Sequence, residues 1–302
     1  MQTTERDLLN KINAMPDNKA MKELYRQLYL SLAKELSNWI KDFPEMTPNQ
    51  QREFIRQGEV AKYLERICGQ LDIDVNVNVS EVLKDVGALS YNGTYYQLEK
   101  NNGINLGKVL FDDNALMQVV NTPINGKLFS ERLHAAIIDK LQPRATQAIV
   151  NGILRGEGYR QIAARLRNTT NMAYNNALRI ARTEGGRISS TMNYTASKEI
   201  EAKGIEVKKQ WVTTLDRRTR EDHIELDGQT IGIDEYFEVS GHRALHPHGF
   251  HVASEDINCR CALINIVDDV EPEYRLDNES KQQIKNMSYD QWLKNKGIEK
   301  TQ

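Results

Sequence analysis

Residues that can bind a metal are concentrated near the C-terminal end of this 302-residue sequence. Five of the six histidines and two of the three cysteines fall between positions 223 and 261, namely His223, His242, His246, His248, His251, Cys259 and Cys261. Tetrahedral zinc takes about four ligands from cysteine, histidine or carboxylate side chains. We therefore expect His223, Cys259 and Cys261 to form one cluster that could hold a structural zinc ion. One of His246, His248 or His251 would be the fourth ligand, and we take His246.

The Cys-x-Cys spacing leaves other interpretations open. Structural zinc sites usually separate paired cysteines by about two to four residues, whereas one residue separates Cys259 from Cys261. The thiols could instead pack beneath a sheet while His223 donates a hydrogen bond. The cluster could also serve a metal-dependent hydrolase or nuclease, in which Glu184, Asp216 and His223 help to hold a metal that activates water. Because the sequence contains no Gly-x-Ser-x-Gly, His-Glu-x-x-His or phosphate-binding glycine loop, we expect no enzymatic activity.

Charge is distributed unevenly along a chain whose formal net charge is −2. Positions 130–220 contain 17 Lys and Arg against 8 Asp and Glu, whereas positions 221–302 contain 8 against 17. A concentrated basic stretch favours an anionic partner, such as double-stranded DNA bound without sequence preference. The candidate phosphate contacts are Arg155, Arg160, Arg165, Arg167, Arg179 and Arg187. The alternative is that the basic stretch pairs with the acidic C-terminal part of the same chain.

The elements that position these residues begin with helices. Apolar residues recur at three- and four-residue steps from Met21 to Ile40, which predicts an amphipathic helix that ends at Pro44. Thr47 and Gln50 then form a capping-box pattern at the start of the next helical segment.

Within that first half, Cys68 continues an apolar helix face and is interpreted as a core residue. The strict alternation of apolar and polar residues from Leu71 to Val79 predicts a half-buried strand. The Gly- and Asn-rich stretch 87–127 predicts a hairpin or a long surface excursion.

From Ser130 to Gly204 the apolar spacing is helical again. Breaks are predicted at Pro143, Gly152, Gly156 and Asn168, followed by a longer helix from about Met172 to Lys203. This last helix carries Arg182 and Glu184.

After Gly204 the pattern becomes that of short strands. They are predicted near 205–212, 231–239 and 259–267, with a turn and short helix at 216–223. Side chains two apart on a strand face the same side, so Cys259 and Cys261 would face one ligand. Segment 268–279 is interpreted as a solvated linker before a short capped helix anchored by Trp292. The predicted fold class is α+β, with a mostly helical N-terminal and middle part and a small α+β module at the C-terminal end.

A set of residues in fixed order carries a specific resemblance. They are Arg182, Thr183, Glu184, Trp211, Asp216, Arg218, Arg220, His223, Gly228, Asp234, Phe237, Pro247, Asn258, Cys259, Arg260 and Cys261. This pattern resembles the Mu F-like minor head proteins of tailed bacteriophages. The resemblance implies a head morphogenesis domain at 120–267, preceded by a helical region at 1–119 and followed by a linker and short helix at 268–302.

The resemblance also implies a structural protein of the virion rather than an enzyme. Such a protein is assembled in the host cytoplasm, lies inside the head near the portal, and acts in head morphogenesis and in DNA packaging or ejection. Its expected partners are the portal protein and capsid or scaffolding proteins, with region 1–119 as the contact region. Some relatives carry fused toxin enzymes, but we expect none here because only about forty residues follow Cys261.

Composition agrees with a protein made in a reducing cytoplasm. Three cysteines leave a thiol unpaired in any disulfide scheme, and 27% charged with 39% hydrophobic residues is ordinary for soluble proteins. A chain of this length can bury a core without a disulfide or a metal. Because the sequence has neither a signal peptide nor a run of about eighteen apolar residues, we expect no secretion and no membrane span.

Overall fold

The computed structural model describes residues 19–106, 113–124 and 126–297. Helices dominate up to Glu201 and small antiparallel sheets follow, which confirms the predicted α+β class. The helices are α1 Lys19–Asp42, α2 Pro48–Gln57, α3 Glu59–Asn102, α4 Asp113–Val120, α5 Phe129–His134, α6 Gln142–Leu154, α7 Tyr159–Glu201, α8 Glu221–Glu225, α9 Ala253–Asp256 and α10 Tyr289–Asn295. The strands are β1 Lys208–Val212, β2 Thr230–Gly232, β3 Phe237–Val239, β4 His242–Ala244, β5 Ala262–Ile266, β6 Tyr274–Asp277 and β7 Gln282–Lys285. No helix in the described ranges is long and apolar enough to cross a membrane.

The chain divides into two compact units. Among the described residues, the helical unit contains 19–82 and 126–181, and the site unit contains 83–106, 113–124 and 182–297. Helices α3 and α7 each contribute residues to both units.

The helical unit contains the amphipathic helix that the sequence predicts. The buried residues of α1 are Met21, Tyr25, Leu28, Leu32, Ala33, Leu36 and Trp39. Thr47 caps α2, since its side chain accepts a hydrogen bond from the Gln50 amide and its own amide donates to the Gln50 side chain. Cys68 is fully buried in α3, and burial raises the pKa of its thiol to about 12. Cys68 is therefore a core residue.

The strand predicted between Leu71 and Val79 is wrong, because these residues lie within α3. Leu71, Val75 and Val79 are four residues apart and buried, whereas Ile73 and Val77 are 59% and 54% exposed. Every second member of the alternating pattern therefore lies on the core face of a helix. The remaining members lie on its solvent face.

The Gly- and Asn-rich stretch is also mostly helical, so the predicted hairpin or excursion is wrong for its described residues. Helix α3 continues to Asn102, and α4 follows at 113–120. A Cβ built on Gly87 would lie 2.4 Å from Cδ1 of Leu116, so the glycine permits close packing against α4. Tyr95 donates a 2.9 Å hydrogen bond to Glu199 of α7.

Three of the predicted helix breaks in the middle of the chain are wrong. Helix α7 begins at Tyr159 and runs through Asn168 without interruption. Gly152 lies inside α6, where a Cβ would come within 2.5 Å of the Ile162 side chain. Pro143 does not break the helix either, because a π-helical stretch, Ala135–Leu141, joins α5 to α6 and the chain stays helical through the proline.

Three small sheets build the rest of the site unit. Strands β2, β1 and β5 form an antiparallel sheet in that order, in which Trp211 pairs with Leu263. Strands β3 and β4 form a hairpin whose two-residue loop, Ser240 and Gly241, has positive φ at both positions. Such a loop matches the right-handed twist of the paired strands.

The C-terminal segment folds onto the site unit. Strands β6 and β7 pair as a second hairpin, so the expected solvated linker at 268–279 in fact contains strand β6. Ser288 caps α10, and Trp292 is buried against Leu215 and Tyr289. The apolar anchor of this short helix is therefore covered by its own chain.

Candidate metal centre

His223, Cys259 and Cys261 reach one place from two segments of the site unit. His223 lies on the buried side of α8, and both cysteines directly precede β5. The expectation that the cysteines lie on the final strand is thus wrong by a few residues, although both thiols still point into the core. The Trp211 ring of β1 packs edge-on against the His223 ring at 5.7 Å. This contact fixes the imidazole against the central sheet.

The distances within this cluster suit a tetrahedral metal. Nδ1 of His223 lies 3.4 Å from Sγ of Cys261 and 3.6 Å from Sγ of Cys259. The three ligand atoms lie within 4.8 Å of one another, and all three residues are buried. With Zn–S near 2.3 Å and Zn–N near 2.0–2.1 Å, tetrahedral geometry requires ligand atoms about 3.5–3.8 Å apart. The two separations between Nδ1 and the sulfurs are close to these values.

Glu255 faces the other nitrogen of the same imidazole. Its Oε2 lies 3.3 Å from Nε2 of His223, and both side chains are buried. Arg220 holds this segment by donating a 2.9 Å hydrogen bond to the Glu255 carbonyl and another to the Ile257 carbonyl. Metal-binding histidines commonly direct their second nitrogen at a carboxylate. Asp222, His223 and Glu255 form a second group that could hold a metal, and it shares His223 with the first.

His248 completes the ring of polar groups around the sulfurs. Its imidazole interacts with Cys259 and is buried. A Cβ built on Gly186 of α7 would lie 2.3 Å from Nε2 of His248, so only glycine at 186 allows this approach. His248 also has a φ of 64°, a left-handed conformation that costs a residue other than glycine about 1–3 kcal/mol.

His246, the expected fourth ligand, points elsewhere. Its Nδ1 lies 2.9 Å from the Pro247 carbonyl, and its ring packs at 5.7 Å against Tyr194. Burial lowers the pKa of His246 to about 4, which keeps the ring neutral. His251 is exposed and His242 is half-buried on β4. Of the candidate histidines, His223 lies beside both sulfurs, and His248 interacts with Cys259 but lies outside the group whose ligand atoms are all within 4.8 Å of one another.

Electrostatics within the cluster separate the two thiols. Burial raises the pKa of Cys259, but the hydrogen bond from Cys261 and the charges of the neighbouring imidazoles outweigh it, so the net pKa falls well below that of an ordinary thiol. Burial and the charge of Cys259 raise the pKa of Cys261. Burial lowers the pKa of His223, yet the hydrogen bond with Cys259 reverses the direction and leaves the pKa raised.

Two kinds of chemistry can be compared for this arrangement. Cys259, His223 and Glu255 are ordered like a nucleophile, its base and an orienting acid. All three are less than 10% exposed, and both cysteines belong to an apolar core cluster, so a substrate would have no route to the sulfur. Neither metal-capable group among the described residues includes Glu184 or Asp216. The hydrolase constellation considered from the sequence is therefore not assembled, and a closed structural site fits better.

The cluster lies inside a match to a known family. The model described as "Phage Mu protein F like protein" matches residues 144–264. Minor head protein GP7 of Bacillus phage SPP1 is 30% identical over 297 residues, which cover 92% of this chain and 96% of GP7. The chain belongs to the Mu F-like minor head protein family. This confirms the resemblance inferred from the motif residues.

The chain spans only part of two further relatives. NAD(+)-arginine ADP-ribosyltransferase EFV of Enterococcus faecalis is 35% identical over 288 residues, which cover 95% of this chain but 59% of EFV. An uncharacterized protein of Haemophilus influenzae is 28% identical over 196 residues, 65% of this chain and 40% of that protein. No solved structure matches the chain.

The remaining motif residues support the loops around the cluster. Asp216 pairs with Arg260, and its Oδ1 accepts a 2.9 Å hydrogen bond from the Arg218 amide. The backbone amide of Asn258 donates a 3.4 Å hydrogen bond to the Thr183 hydroxyl. The other motif residues are Arg182 and Glu184 on α7, Arg220 before α8, and Gly228, whose φ is 80°.

The candidate DNA-contacting arginines do not share one environment. Arg187 is buried between Glu184 and the Val119 carbonyl, at 2.7 and 2.8 Å, so it cannot reach a phosphate and leaves the candidate set. The exposed candidates are Arg155, Arg160, Arg165, Arg167 and Arg179 of the helical unit.

Two residues of the cluster carry little signal in the sequence. Glu255 belongs to no spacing pattern, and its role follows only from the fold of α9 beside α8. Gly186 lies inside α7, where a small residue can permit close packing, and here the packing partner is the His248 ring. A glycine within a helical pattern was the available clue.

Proposed function

We propose that this minor head protein is incorporated at the portal inside the phage head and acts in head morphogenesis and in DNA packaging or ejection. The observation that carries the proposal is the similarity to a minor head protein over 96% of that protein's length. The portal protein and capsid or scaffolding proteins would be its partners. The virion would be its final location, after assembly in the host cytoplasm.

The proposal is tested with particles assembled in the presence and absence of the portal protein. Quantitative mass spectrometry should find this protein, relative to the major capsid protein, only in particles that contain the portal. A second measurement compares virions before and after ejection of the DNA, and a fall in its amount would assign it to the ejected material. Equal amounts in shells without the portal would overturn the portal association.

The contact with head proteins is proposed to involve the N-terminal helices. Ile73 and Val77 lie one turn apart on α3, and both are more than half exposed. Their double substitution by Asn keeps the core face of α3 intact, so the protein should still fold. Loss of incorporation into particles would support the contact, whereas normal incorporation would exclude this face.

DNA handling is proposed to use the exposed arginines of the helical unit. The basic stretch at 130–220 makes different contacts in its two parts. Beyond residue 182, several of its cations pair with the acidic C-terminal part, as in Lys208 with Asp269 at 2.7 Å and Arg217 with Glu279 at 3.0 Å. The arginines between 155 and 179 lie on the surface of the helical unit, where Arg155 and Arg165 pair with Glu157, and we propose that this surface contacts phosphates. Intramolecular pairing and DNA binding would thus be properties of different parts of the stretch.

One relative favours a different candidate function. EFV bears the name of an NAD(+)-arginine ADP-ribosyltransferase, and this chain spans 59% of its length. We propose that the shared region acts as a head protein and is not an enzyme, since the same region aligns with nearly all of GP7. Incubation with labelled NAD(+) and an arginine-rich acceptor should transfer no label. Transfer that depends on this chain would replace the structural proposal by an enzymatic one.

A further inference from the structure

We infer that Cys259, Cys261, His223 and His248 form a structural zinc site that fastens the loops before α9 and β5 to helix α7. The donor set is two sulfurs and two imidazoles, a combination typical of structural zinc. In this site the fourth ligand is His248 rather than His246.

The arrangement of His223, Cys259 and Cys261 is compatible with a bound metal. The two separations between Nδ1 of His223 and the sulfurs, 3.4 and 3.6 Å, match the edge of a zinc tetrahedron. A purely apolar packing of the thiols would not bring one imidazole nitrogen within hydrogen-bond distance of both, so the sulfurs either form hydrogen bonds with His223 or share a metal with it. Because all donors are buried, the site has no open position for a substrate, which distinguishes it from a catalytic centre.

The fourth position follows from the surroundings of His248. Nδ1 of His248 is buried and makes no hydrogen bond of good geometry among the described residues, although the ring interacts with the Cys259 sulfur and with the Asp256 backbone. A buried nitrogen without a partner is unfavourable, and a metal ion would satisfy it. The ring is held beside Cys259 by the absence of a side chain at Gly186. His246, in contrast, directs Nδ1 at the Pro247 carbonyl.

The groups around the donors also fit a metal. Nε2 of His223 and Oε2 of Glu255 lie 3.3 Å apart without the geometry of a hydrogen bond, and neither has another partner among the described residues. Binding of a metal at Nδ1 places the proton on Nε2, where it can be donated to Glu255. Glu255 therefore acts as a positioning residue that orients His223.

The site has a structural consequence for the whole unit. His223 belongs to α8, His248 to the loop between β4 and α9, and the cysteines to the segment before β5. The His248 ring packs against Gly186 of α7, and the backbone amide of Asn258 donates a hydrogen bond to the Thr183 hydroxyl of the same helix. One ion would therefore hold three segments and, through His248, the helix that carries the Arg-Thr-Glu motif.

The inference is tested on the full-length chain purified without chelator. Elemental analysis should find about one zinc per chain. Replacement of the metal by Co²⁺ should give the strong visible absorption of a tetrahedral ion together with a thiolate-to-cobalt charge-transfer band. Wild-type protein that contains no zinc after equilibration with Zn²⁺ and gel filtration, and that gives no such bands with Co²⁺, would refute the site.

Three variants then identify the ligands. Cys259→Ser and His248→Gln should each lower the affinity for zinc at least tenfold, whereas His246→Gln, a matched change two residues away, should leave it unchanged. Competition with a chromophoric chelator measures these affinities in the folded wild type and in each variant. Retention of wild-type affinity by His248→Gln with loss in His246→Gln would reverse the assignment of the fourth ligand. If Cys259→Ser does not fold, the charge-transfer band of the wild type still decides whether thiolates bind the metal.

Discussion

Asp216 accepts hydrogen bonds from both terminal nitrogens of Arg260, which lies 44 positions further along the chain. The carboxylate is almost completely buried, and the Tyr289 hydroxyl donates a 2.8 Å hydrogen bond to the Asp216 carbonyl. Arg260 lies between the two cysteines of the cluster. The ion pair therefore joins the turn after β1, the segment before β5 and the C-terminal helix α10.

Removal of Arg260 should destabilise the protein strongly. Arg260→Ala leaves a buried carboxylate with no cation at its two oxygens other than the weaker contact of Arg218. Because the guanidinium of Arg260 is partly exposed, we expect a loss of about 2–3 kcal/mol in the free energy of unfolding. Urea unfolding measures the loss.

Arg218→Ala is the matched control for that substitution. Arg218 also approaches Asp216, at 3.5 Å, but its side chain is 82% exposed. Its removal should change stability by less than about 0.5 kcal/mol. Similar losses in the two variants would mean that the burial of Arg260 does not determine the strength of the pair.

Lys209 should make stability depend on alkaline pH. It is fully buried in β1, its Nζ donates a 2.8 Å hydrogen bond to the Ile233 carbonyl, and the Tyr194 ring lies 5.1 Å from Nζ. Burial lowers the pKa of Lys209 to about 8, whereas an unfolded lysine titrates near 10.4. Between these values the unfolded chain binds more protons than the folded chain. The free energy of unfolding should therefore rise as pH increases from about 8 to 10.

Comparison with Lys209→Met isolates this contribution. Urea unfolding of both proteins at several pH values gives the difference in stability as a function of pH. The free energy of unfolding of the wild type should rise relative to that of the variant as pH increases through the alkaline range. Below about pH 7 the difference should not change with pH. A difference that is constant with pH would show that Lys209 keeps an ordinary pKa in the folded protein.

Two neighbouring valines test the helical assignment of residues 71–79. Val75 is fully buried and Val77 is more than half exposed. Val75→Asp should cost more than about 3 kcal/mol because it places a carboxylate in the core. Val77→Asp should cost less than about 0.5 kcal/mol, since the helix propensities of Val and Asp are similar. On a half-buried strand both residues would lie on one face, so equal effects would contradict the helix.

The same residues explain how far the sequence determines the fold. The five apolar residues Leu71, Ile73, Val75, Val77 and Val79 are spaced two apart, as on a strand. Leu71, Val75 and Val79 taken alone are spaced four apart, as on a helix face. Apolar residues on the solvent face of α3 hid this second period. The amphipathic pattern of α1 and the capping box of Thr47 contain no such ambiguity, and both are found as predicted.

The candidate site shows a similar division. Side-chain chemistry and closeness in sequence were enough to group His223 with Cys259 and Cys261. The choice between His246 and His248 depends on backbone conformation, since these two residues flank a proline and point to different neighbours. The contact of His248 with Gly186 joins positions 62 apart and cannot be read from local spacing. Tertiary packing therefore decides the fourth ligand.

DNA binding by the helical unit should be electrostatic and insensitive to sequence. If the exposed arginines contact phosphates, the logarithm of the association constant should fall linearly with the logarithm of salt concentration, by about 0.9 per neutralised phosphate. Arg165→Gln and Arg167→Gln should each reduce the magnitude of this slope by about one. Fluorescence anisotropy with two unrelated duplexes of equal length measures the slope and the lack of sequence preference.

Arg243→Gln provides a control with the same change in net charge. Arg243 is an exposed residue of β4 in the site unit, where it pairs with Glu238 at 2.7 Å. Its substitution should leave the slope unchanged, because the release of counterions depends on phosphate contacts rather than on total charge. Equal effects of Arg243→Gln and Arg165→Gln would indicate non-specific attraction to the whole chain. Absence of binding at low salt would leave the exposed arginines without a nucleic-acid role.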